Sequence, residues 1–226
     1  MKTFLVFGGS GQTGQHFVNH ALKAGHRVRV LARNPRKITA TDANLEVNQG
    51  SIEVVSDWAA LVPGADYIVA MLGDREMQQS AKINAAFVRT LIPVMRRNAV
   101  RRFLYQAGGL SAVPGRALPP ALRVIRKTVA RSFEGQHQDN EAVMHYLMHE
   151  ATDIEWMVHR AGIGSNGPSK GVLHRSADKF SVGTFSDCAS YNLRIVMDPT
   201  AVHTCDFSTY QETTTWSVAS KEHRPG

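Results

Sequence analysis

The sequence has few cysteines and no apolar run of membrane-spanning length. Its two cysteines, Cys188 and Cys205, form no CxxC pair and suggest no disulfide framework, which favours a reducing compartment. The apolar run at residues 67–72 is far too short to cross a bilayer, and the run that follows Lys2 is too short for a signal peptide. We therefore expect a cytoplasmic protein with no membrane partner.

Acidic residues are also few relative to basic ones. The chain has 19 Asp and Glu against 26 Lys and Arg, a formal net charge of +7, so its surface should attract anions. Nucleic acid is one such anion, but the arginines are scattered and no nucleic-acid module accompanies them, so we do not expect nucleic-acid binding. The densest group of potential metal ligands, His203, Cys205 and Asp206, has a spacing that rarely converges on one ion. We therefore expect no metal site.

Strand and helix patterns alternate along the first part of the chain. A continuous apolar run predicts a strand buried on both faces at residues 3–7, and shorter apolar-rich segments predict strands at residues 27–32, 45–49, 66–72, 101–106 and 154–159. Helical periodicity predicts helices at residues 12–24, 78–98 (bent at Pro93) and 138–149. Strands separated by helices pair in parallel through right-handed crossovers. We therefore predict an α/β fold with a Rossmann-like, doubly wound parallel sheet.

The remaining segments carry weaker patterns. Residues 107–122 are rich in glycine and proline and are predicted to form a long loop. Beyond residue 162 the predictions are a strand at 193–197 and a helix at about 205–211. No linker divides the chain, so we predict a single domain over residues 1–226. Residues 1–160 would form its Rossmann core, and residues 161–226 a divergent region on the substrate side.

Four glycines follow the first predicted strand directly, in the stretch GGSGQTG from Gly8 to Gly14. Gly9, Gly11 and Gly14 satisfy G-x-G-x-x-G, and Gly8, Gly11 and Gly14 satisfy G-x-x-G-x-x-G. Between a strand and a helix, such a turn lets a pyrophosphate approach the backbone and the free amide groups at the start of the helix. We therefore predict that a dinucleotide binds here, with the pyrophosphate close to the middle glycine, Gly11.

The end of the second predicted strand distinguishes the two nicotinamide dinucleotides. In NAD-binding proteins an acidic residue about 20 residues after the glycines bonds the 2′-hydroxyl of the adenosine ribose. Here that place holds Arg33, with Lys37 after it, and no carboxylate comes before Asp42. A guanidinium pairs with a 2′-phosphate and stacks on adenine, so we predict NADP(H) in preference to NAD(H).

Several segments together resemble the atypical short-chain dehydrogenases, and within them the NmrA-like and biliverdin reductase B-like (NADH-flavin reductase-like) proteins. They are GGSGQTG, LARNPRK, the tripeptide Met71-Leu72-Gly73 at the end of the fourth predicted strand, and RRFLYQAGG. The segment DIEWMVHRAGIG resembles the family's strand ending in Arg-Pro-Gly, with Ala161 in place of the proline. The likeness is good over residues 1–110, fair over 133–164 and poor beyond.

The resemblance implies a set of cofactor-binding residues in four groups. The groups are Gly8, Ser10, Gly11, Gln12, Thr13 and Gly14 at the pyrophosphate; Arg33, with Lys37, at the 2′-phosphate; Met71, Leu72 and Gly73 at the adenine and ribose; and Gln106, Ala107 and Gly108 near the nicotinamide.

The usual catalytic residues of the short-chain dehydrogenases are missing. That family generally uses a tyrosine followed four residues later by a lysine. The five tyrosines are followed at that distance by Met71, Gly109, Glu150, Ile195 and Thr214. The serine expected directly after the fifth strand is also absent from QAGG.

Two functions therefore remain open. The first is an NADPH-dependent reductase that transfers hydride to a small conjugated acceptor (a flavin, a quinone or a tetrapyrrole) that needs little help from an acid. The proton would come from Ser111, the first hydroxyl after the fifth strand, or from water. The second is an NADP(H)-binding sensor that acts on a protein partner, as NmrA-like regulators do. Turnover of a small acceptor distinguishes the first from the second.

Overall fold

The first strand accounts for the layered architecture. In the computed structural model, which describes residues 1–73 and 75–211, β1 (Thr3–Phe7) is buried from Phe4 onward. Successive side chains of a strand point to opposite faces, so Leu5 and Phe7 enter one hydrophobic core while Phe4 and Val6 enter another. A strand buried on both faces requires a sheet that is covered on both sides.

The described residues form a nine-stranded sheet. The other strands are β2 (Arg27–Ala32), β3 (Leu45–Gln49), β4 (Tyr67–Ala70), β5 (Arg102–Gly108), β6 (Glu155–Ser165), β7 (Leu173–Ser176), β8 (Val182–Thr184) and β9 (Thr204–Tyr210). Their order is β3-β2-β1-β4-β5-β6-β9-β7, and β8 pairs with β6 beside that path. The pairing of β7 with β9 is antiparallel and the others are parallel. The predicted Rossmann-like, doubly wound sheet is confirmed.

Helices cover both faces of the sheet. They are α1 (Gln12–Lys23), α2 (Val55–Ala59), α3 (Arg75–Ser80), α4 (Ile83–Arg97), α5 (Pro120–Lys127), α6 (Glu134–Glu150) and α7 (Phe185–Met197). On one face α1 packs beside α7, with Phe17 and Tyr191 in the core; on the other α4 packs beside α6, with Leu91 and Leu147 in the core. None of the helices in the described part of the chain has the length and apolar character needed to cross a bilayer.

The helix predicted at residues 78–98 is two helices, α3 and α4. Pro93 lies inside α4, and the helix is interrupted between Ser80 and Ile83 instead. The cause is a distant carboxylate: Asp139 of α6 accepts the backbone N–H groups of Asn84 at 3.0 Å and Ala85 at 2.9 Å. A side chain that satisfies the first amide groups of a helix sets its start, and a local sequence pattern does not reveal a partner from another helix.

Two predictions in the last third of the chain are wrong. The predicted strand at 193–197 lies in α7, whose buried residues Cys188, Tyr191 and Ile195 recur at helical spacing and whose N-terminus is capped by the Thr184 hydroxyl. The predicted helix at 205–211 is the strand β9, which pairs with β6 and β7. A segment of five to seven residues fits either structure, and pairing with remote strands decides between them.

The predicted loop at residues 107–122 also needs a correction, because α5 begins at Pro120. Proline is favoured at the first position of a helix, where its missing N–H costs nothing. The strands after residue 160 continue the same sheet, since β9 pairs with β6. Residues 212–226 of the predicted single domain lie outside the described residues.

Candidate cofactor site

The glycine turn between β1 and α1 is tight, and its glycines have different reasons to be there. Gly8 has φ of +82°, and a Cβ on it would lie 2.8 Å from the carbonyl carbon of Met71. A Cβ on Gly14 would lie 2.7 Å from Gly9 Cα. On Gly11, by contrast, a Cβ would meet only Gly8 O within 4 Å, at 3.2 Å. Packing therefore requires Gly8 and Gly14, whereas Gly11 presents bare backbone to the space outside the turn.

The first turn of α1 is suited to an anion. Gly11 is the N-cap residue, and within the described chain no side chain caps this helix and no acidic residue lies in its first turn. The first amide groups of a helix have no carbonyl one turn earlier, and the helix dipole places a partial positive charge there. Gln12 is exposed at this end, while Thr13 is buried, with 6% of its surface exposed.

A cleft of about 230 Å³ lies beside this turn, at the carboxyl ends of β1, β2, β3 and β4. In doubly wound sheets ligands bind where the strand order reverses, which here is between β1 and β4. Eight of the predicted cofactor residues line it: Gly8, Ser10, Gly11, Arg33, Lys37, Met71, Leu72 and Gly73. The structure therefore brings the predicted pyrophosphate, 2′-phosphate and adenine groups to one cleft.

Two basic side chains, Arg33 and Lys37, line the cleft on the side of β2. Arg33 follows β2 directly, and its Nη1 lies 3.6 Å from Met77 Sδ of α3. Lys37 ends a short 3₁₀ helix, whose start is fixed by the Asn34 side chain accepting the Arg36 N–H at 3.1 Å. The Asn-Pro pair after β2 thus turns the chain so that both cations line the cleft.

Sequence reasoning missed the third strand's contribution to the cleft. Gly50, Ser51, Ile52 and Glu53 follow β3 and line the cleft, as do Leu31, Ala32, Met77 and Ile83. Glu53 is a carboxylate on the same cleft as Arg33, although no acid stood near Arg33 in the sequence. The signal was available, because the carboxyl ends of parallel strands meet at one edge of the sheet and residues 50–53 directly follow a predicted strand.

Asn84, at the start of α4, is another missed residue. It is fully buried, lines the cleft, and donates through Nδ2 to the Tyr105 hydroxyl at 2.9 Å. Its Oδ1 has no hydrogen-bond partner among the described residues. A buried carbonyl oxygen without a donor costs about 1–3 kcal/mol. Ribose hydroxyls and the nicotinamide amide both donate hydrogen bonds, so a bound dinucleotide fits this unmet need.

A chain of buried polar groups continues from Asn84 to Ser111. The Tyr105 hydroxyl donates to Asn140 Oδ1 at 2.6 Å, and Asn140 Nδ2 donates to Ser111 Oγ at 3.2 Å. Burial raises the pKa of Tyr105 well above its ordinary value, so the phenol keeps its proton. Ser111 is fully buried, and its carbonyl accepts Arg160 Nε at 3.0 Å. The predicted proton donor therefore lies within this network and does not line the cleft.

The predicted nicotinamide residues lie at the end of β5, outside the cleft. Gln106 Oε1 accepts Asn192 Nδ2 at 2.7 Å, Ala107 is buried, and Gly108 ends the strand. Asn192 in turn contacts His159, whose pKa burial lowers to about 4. Three more of the predicted cofactor-binding residues, Gln12, Thr13 and Gly14, do not line the cleft. They follow Gly11, which does line it.

Comparison with known proteins gives the same fold and ligand class. A family model described as NAD(P)H-binding matches residues 8–199. Similar solved structures include the oxidoreductase ylbE from Lactococcus lactis (TM-score 0.76, 13% identity, 93% of this chain and 92% of that chain). A second is a short-chain dehydrogenase/reductase from Veillonella parvula (TM-score 0.71, 14% identity, 94% of this chain and 95% of that chain). A third is ChuY, an anaerobillin reductase from Escherichia coli O157:H7 (TM-score 0.71, 15% identity, 99% of this chain and 100% of that chain).

Proposed function

We propose that this chain, which belongs to the NAD(P)H-binding family, is an NADPH-dependent reductase of a small conjugated acceptor such as a flavin, a quinone or a tetrapyrrole. The observation that carries the proposal is the cleft at the carboxyl ends of β1–β4, where the bare backbone of Gly11 and the cations Arg33 and Lys37 lie together. A tetrapyrrole is included because the similar protein ChuY is an anaerobillin reductase.

In this proposal the chain's residues hold the two phosphate groups separately. The amide groups of Ser10, Gln12 and Thr13 donate to the pyrophosphate at the positive end of α1. The Gly11 N–H already donates to the Gly8 carbonyl at 3.0 Å, so Gly11 contributes by letting the pyrophosphate approach a backbone without a side chain. The Arg33 guanidinium donates to the 2′-phosphate in a two-point contact, and Lys37 adds a second positive charge. Glu53, on the same cleft, repels a 2′-phosphate and leaves the two cations to outweigh it.

The remaining contacts orient the other half of the dinucleotide. Asn84 Oδ1 accepts a ribose hydroxyl or the nicotinamide amide, which satisfies the buried oxygen. Gln106, Ala107 and Gly108 lie near the nicotinamide. Bound NADPH supplies two electrons as a hydride, and a proton from water completes the reduced acceptor. A conjugated acceptor suits a site in which Ser111 and Tyr105 are buried, because its reduction needs no strong acid from the protein.

A second candidate function is an NADP(H)-binding sensor that acts on a protein partner without turnover. The observation in its favour is the same burial of Ser111 and Tyr105, which are the hydroxyl groups nearest to the predicted nicotinamide residues in sequence. A panel of flavins, quinones and tetrapyrroles, followed by loss of NADPH absorbance, separates the two candidates. Turnover of one acceptor supports the reductase. Tight NADPH binding with no turnover of any acceptor supports the sensor.

Cofactor choice is tested with Arg33→Ala, and Arg36→Ala is the matched control. Arg36 lies three residues after Arg33, in the short 3₁₀ helix, and is exposed, but it does not line the cleft. Charged hydrogen bonds contribute about 1.5–3 kcal/mol each, so Arg33→Ala should weaken NADPH binding by at least about tenfold. NADH binding should stay within about twofold, and Arg36→Ala should change neither. Equal affinity of the parent protein for NADPH and NADH would contradict the proposed preference.

A further inference from the structure

A second groove lies on α5, apart from the cofactor cleft. This α5 groove has a volume of about 510 Å³, within the usual range for ligand pockets. Its lining consists of Ala112, Ala117, Leu118, Arg123, Arg126, Lys127, Arg131 and Glu134. It therefore combines three apolar residues with four cations and one carboxylate.

The groove lies over the same edge of the sheet as the cofactor cleft. Leu118 and Leu122 pack against Phe207 of β9, with Phe180 beside them. Phe180 in turn covers the carboxyl ends of β5 and β6, because a Cβ on Gly109 would lie 3.0 Å from its Cζ and one on Gly162 would lie 2.8 Å from its Cε2. These strands are parallel to β1 and β4, so both sites face the same side of the protein.

One of the four cations is structural. Arg126 donates to Glu134 at 2.7 Å and 3.0 Å, pairs with Glu141, and donates to the Leu110 carbonyl at 3.3 Å. These partners raise its pKa, and they fasten α5 to α6 and to the loop after β5. Arg126 is thus neutralised by two carboxylates and is not available to a ligand.

The other three cations are exposed. Arg123 and Lys127 are one turn apart on α5 and so share a face, and Arg131 follows in the next short helix. No carboxylate lies within ion-pair distance of any of the three in residues 1–73 and 75–211, although Arg123 Nη2 donates to the Leu118 carbonyl at 3.2 Å. Three unneutralised cations around an apolar floor complement a ligand with an apolar body and an anionic end.

We propose that the α5 groove binds the anionic group, a phosphate or a carboxylate, of the acceptor. The acceptor of this protein is then an acidic conjugated molecule and not a neutral one. Its acid group contacts Arg123, Lys127 and Arg131, its body lies on Ala112 and Leu118, and its conjugated ring extends toward the end of β5. The identity of this ligand as the acceptor rests on the proposed reductase function, whereas the anion site itself rests on the groove.

The test compares FMN with riboflavin, which differ by one phosphate, by quenching of flavin fluorescence with and without NADP⁺. At low salt FMN should bind at least about tenfold more tightly than riboflavin, and the difference should shrink at high salt. Arg123→Gln/Lys127→Gln should weaken FMN binding by roughly fivefold or more and leave riboflavin binding unchanged. A quinone carboxylate compared with its methyl ester distinguishes a carboxylate-binding site from a phosphate-binding one.

Lys23→Gln/Arg97→Gln is the matched control, because it removes the same charge from two exposed residues at the ends of α1 and α4. If this control weakens FMN binding as much, the attraction is a general effect of the net charge and the proposal is wrong. The proposal is also overturned if FMN binds no more tightly than riboflavin and the quinone carboxylate binds no more tightly than its methyl ester. NADPH binding is measured separately and tests the proposed cofactor function. A failure of the anion site in the α5 groove therefore does not imply a failure of the NADPH site, and the reverse also holds.

Discussion

Two glycines of the turn after β1 provide the sharpest test of the cofactor site, because the structure predicts opposite consequences for the same substitution. In Gly14→Ala the new Cβ would lie 2.7 Å from Gly9 Cα and 2.8 Å from the Gly8 carbonyl carbon. All the atoms it meets are backbone atoms, which must move to make room, so the cost lies at the upper end for overpacking, about 3 kcal/mol, partly offset by about 0.5–1 kcal/mol of better helix propensity. We expect a net loss of about 2 kcal/mol, a fall of roughly 4–8 °C in Tm.

Gly11→Ala should leave the fold nearly intact. Gly11 has φ of −76° and ψ of 171°, which alanine adopts freely, and its Cβ would touch only Gly8 O at 3.2 Å. Alanine is a poorer N-cap residue than glycine, so we expect a cost of about 0.5–1 kcal/mol and a fall in Tm of roughly 1–4 °C. In the proposed complex the methyl group lies where the pyrophosphate approaches the turn. NADPH binding should therefore weaken by at least about tenfold, the equivalent of one charged hydrogen bond.

Thermal unfolding and an NADPH titration on both variants and the parent measure these effects. The reasoning predicts that Gly11→Ala loses affinity at nearly unchanged Tm, while Gly14→Ala loses Tm. Unchanged NADPH affinity in Gly11→Ala would place the pyrophosphate elsewhere. If the Tm of Gly11→Ala fell as much as that of Gly14→Ala, the claim that Gly11 is required for binding and not for packing would be refuted.

Two further predictions concern buried polar groups. Tyr105→Phe should cost about 1–3 kcal/mol in unfolding free energy, because it leaves Asn84 Nδ2 and Asn140 Oδ1 unpaired. Reductase kcat should stay within roughly tenfold, and a loss of 10²-fold or more would identify a general acid that we have misjudged. Burial lowers the pKa of His159 from 6.5 to about 4, so below pH 6.5 the unfolded chain binds a proton that the folded protein does not. Stability should therefore fall by up to about 3 kcal/mol between pH 6.5 and 4, and His159→Gln should flatten that slope in denaturant titrations while the exposed His145→Gln should not.

Much of the cofactor cleft could be predicted from the sequence because its parts are local. Gly8 and Gly11 follow a buried strand, and Arg33 and Lys37 follow the next one. Each signal needs only a few neighbouring residues and the rule that parallel strands end at one edge of the sheet. Glu53 follows the same rule, and was missed because the third strand's end carried no motif.

Asn84 could not be predicted, because its position depends on a remote residue. Asp139 of α6 fixes the start of α4 and thereby points Asn84 into the cleft. The same holds for Ser111, which reads as an exposed loop hydroxyl but is buried by its contacts with Asn140 and Arg160. Hydrogen bonds between residues about 30 to 55 positions apart leave no periodic trace in the sequence.

The sequence by itself determined the strands β1–β6, the glycine turn and the cations of the cleft, since hydrophobic periodicity and turn chemistry act within a few residues. Only the tertiary structure decided that residues 193–197 are helical and residues 204–210 extended. It also decided that α5 carries a groove with Arg123 and Lys127 exposed and Arg126 neutralised. Short segments and neighbouring cationic residues fit several structures equally well, and the contacts that choose among them come from residues far away in the chain.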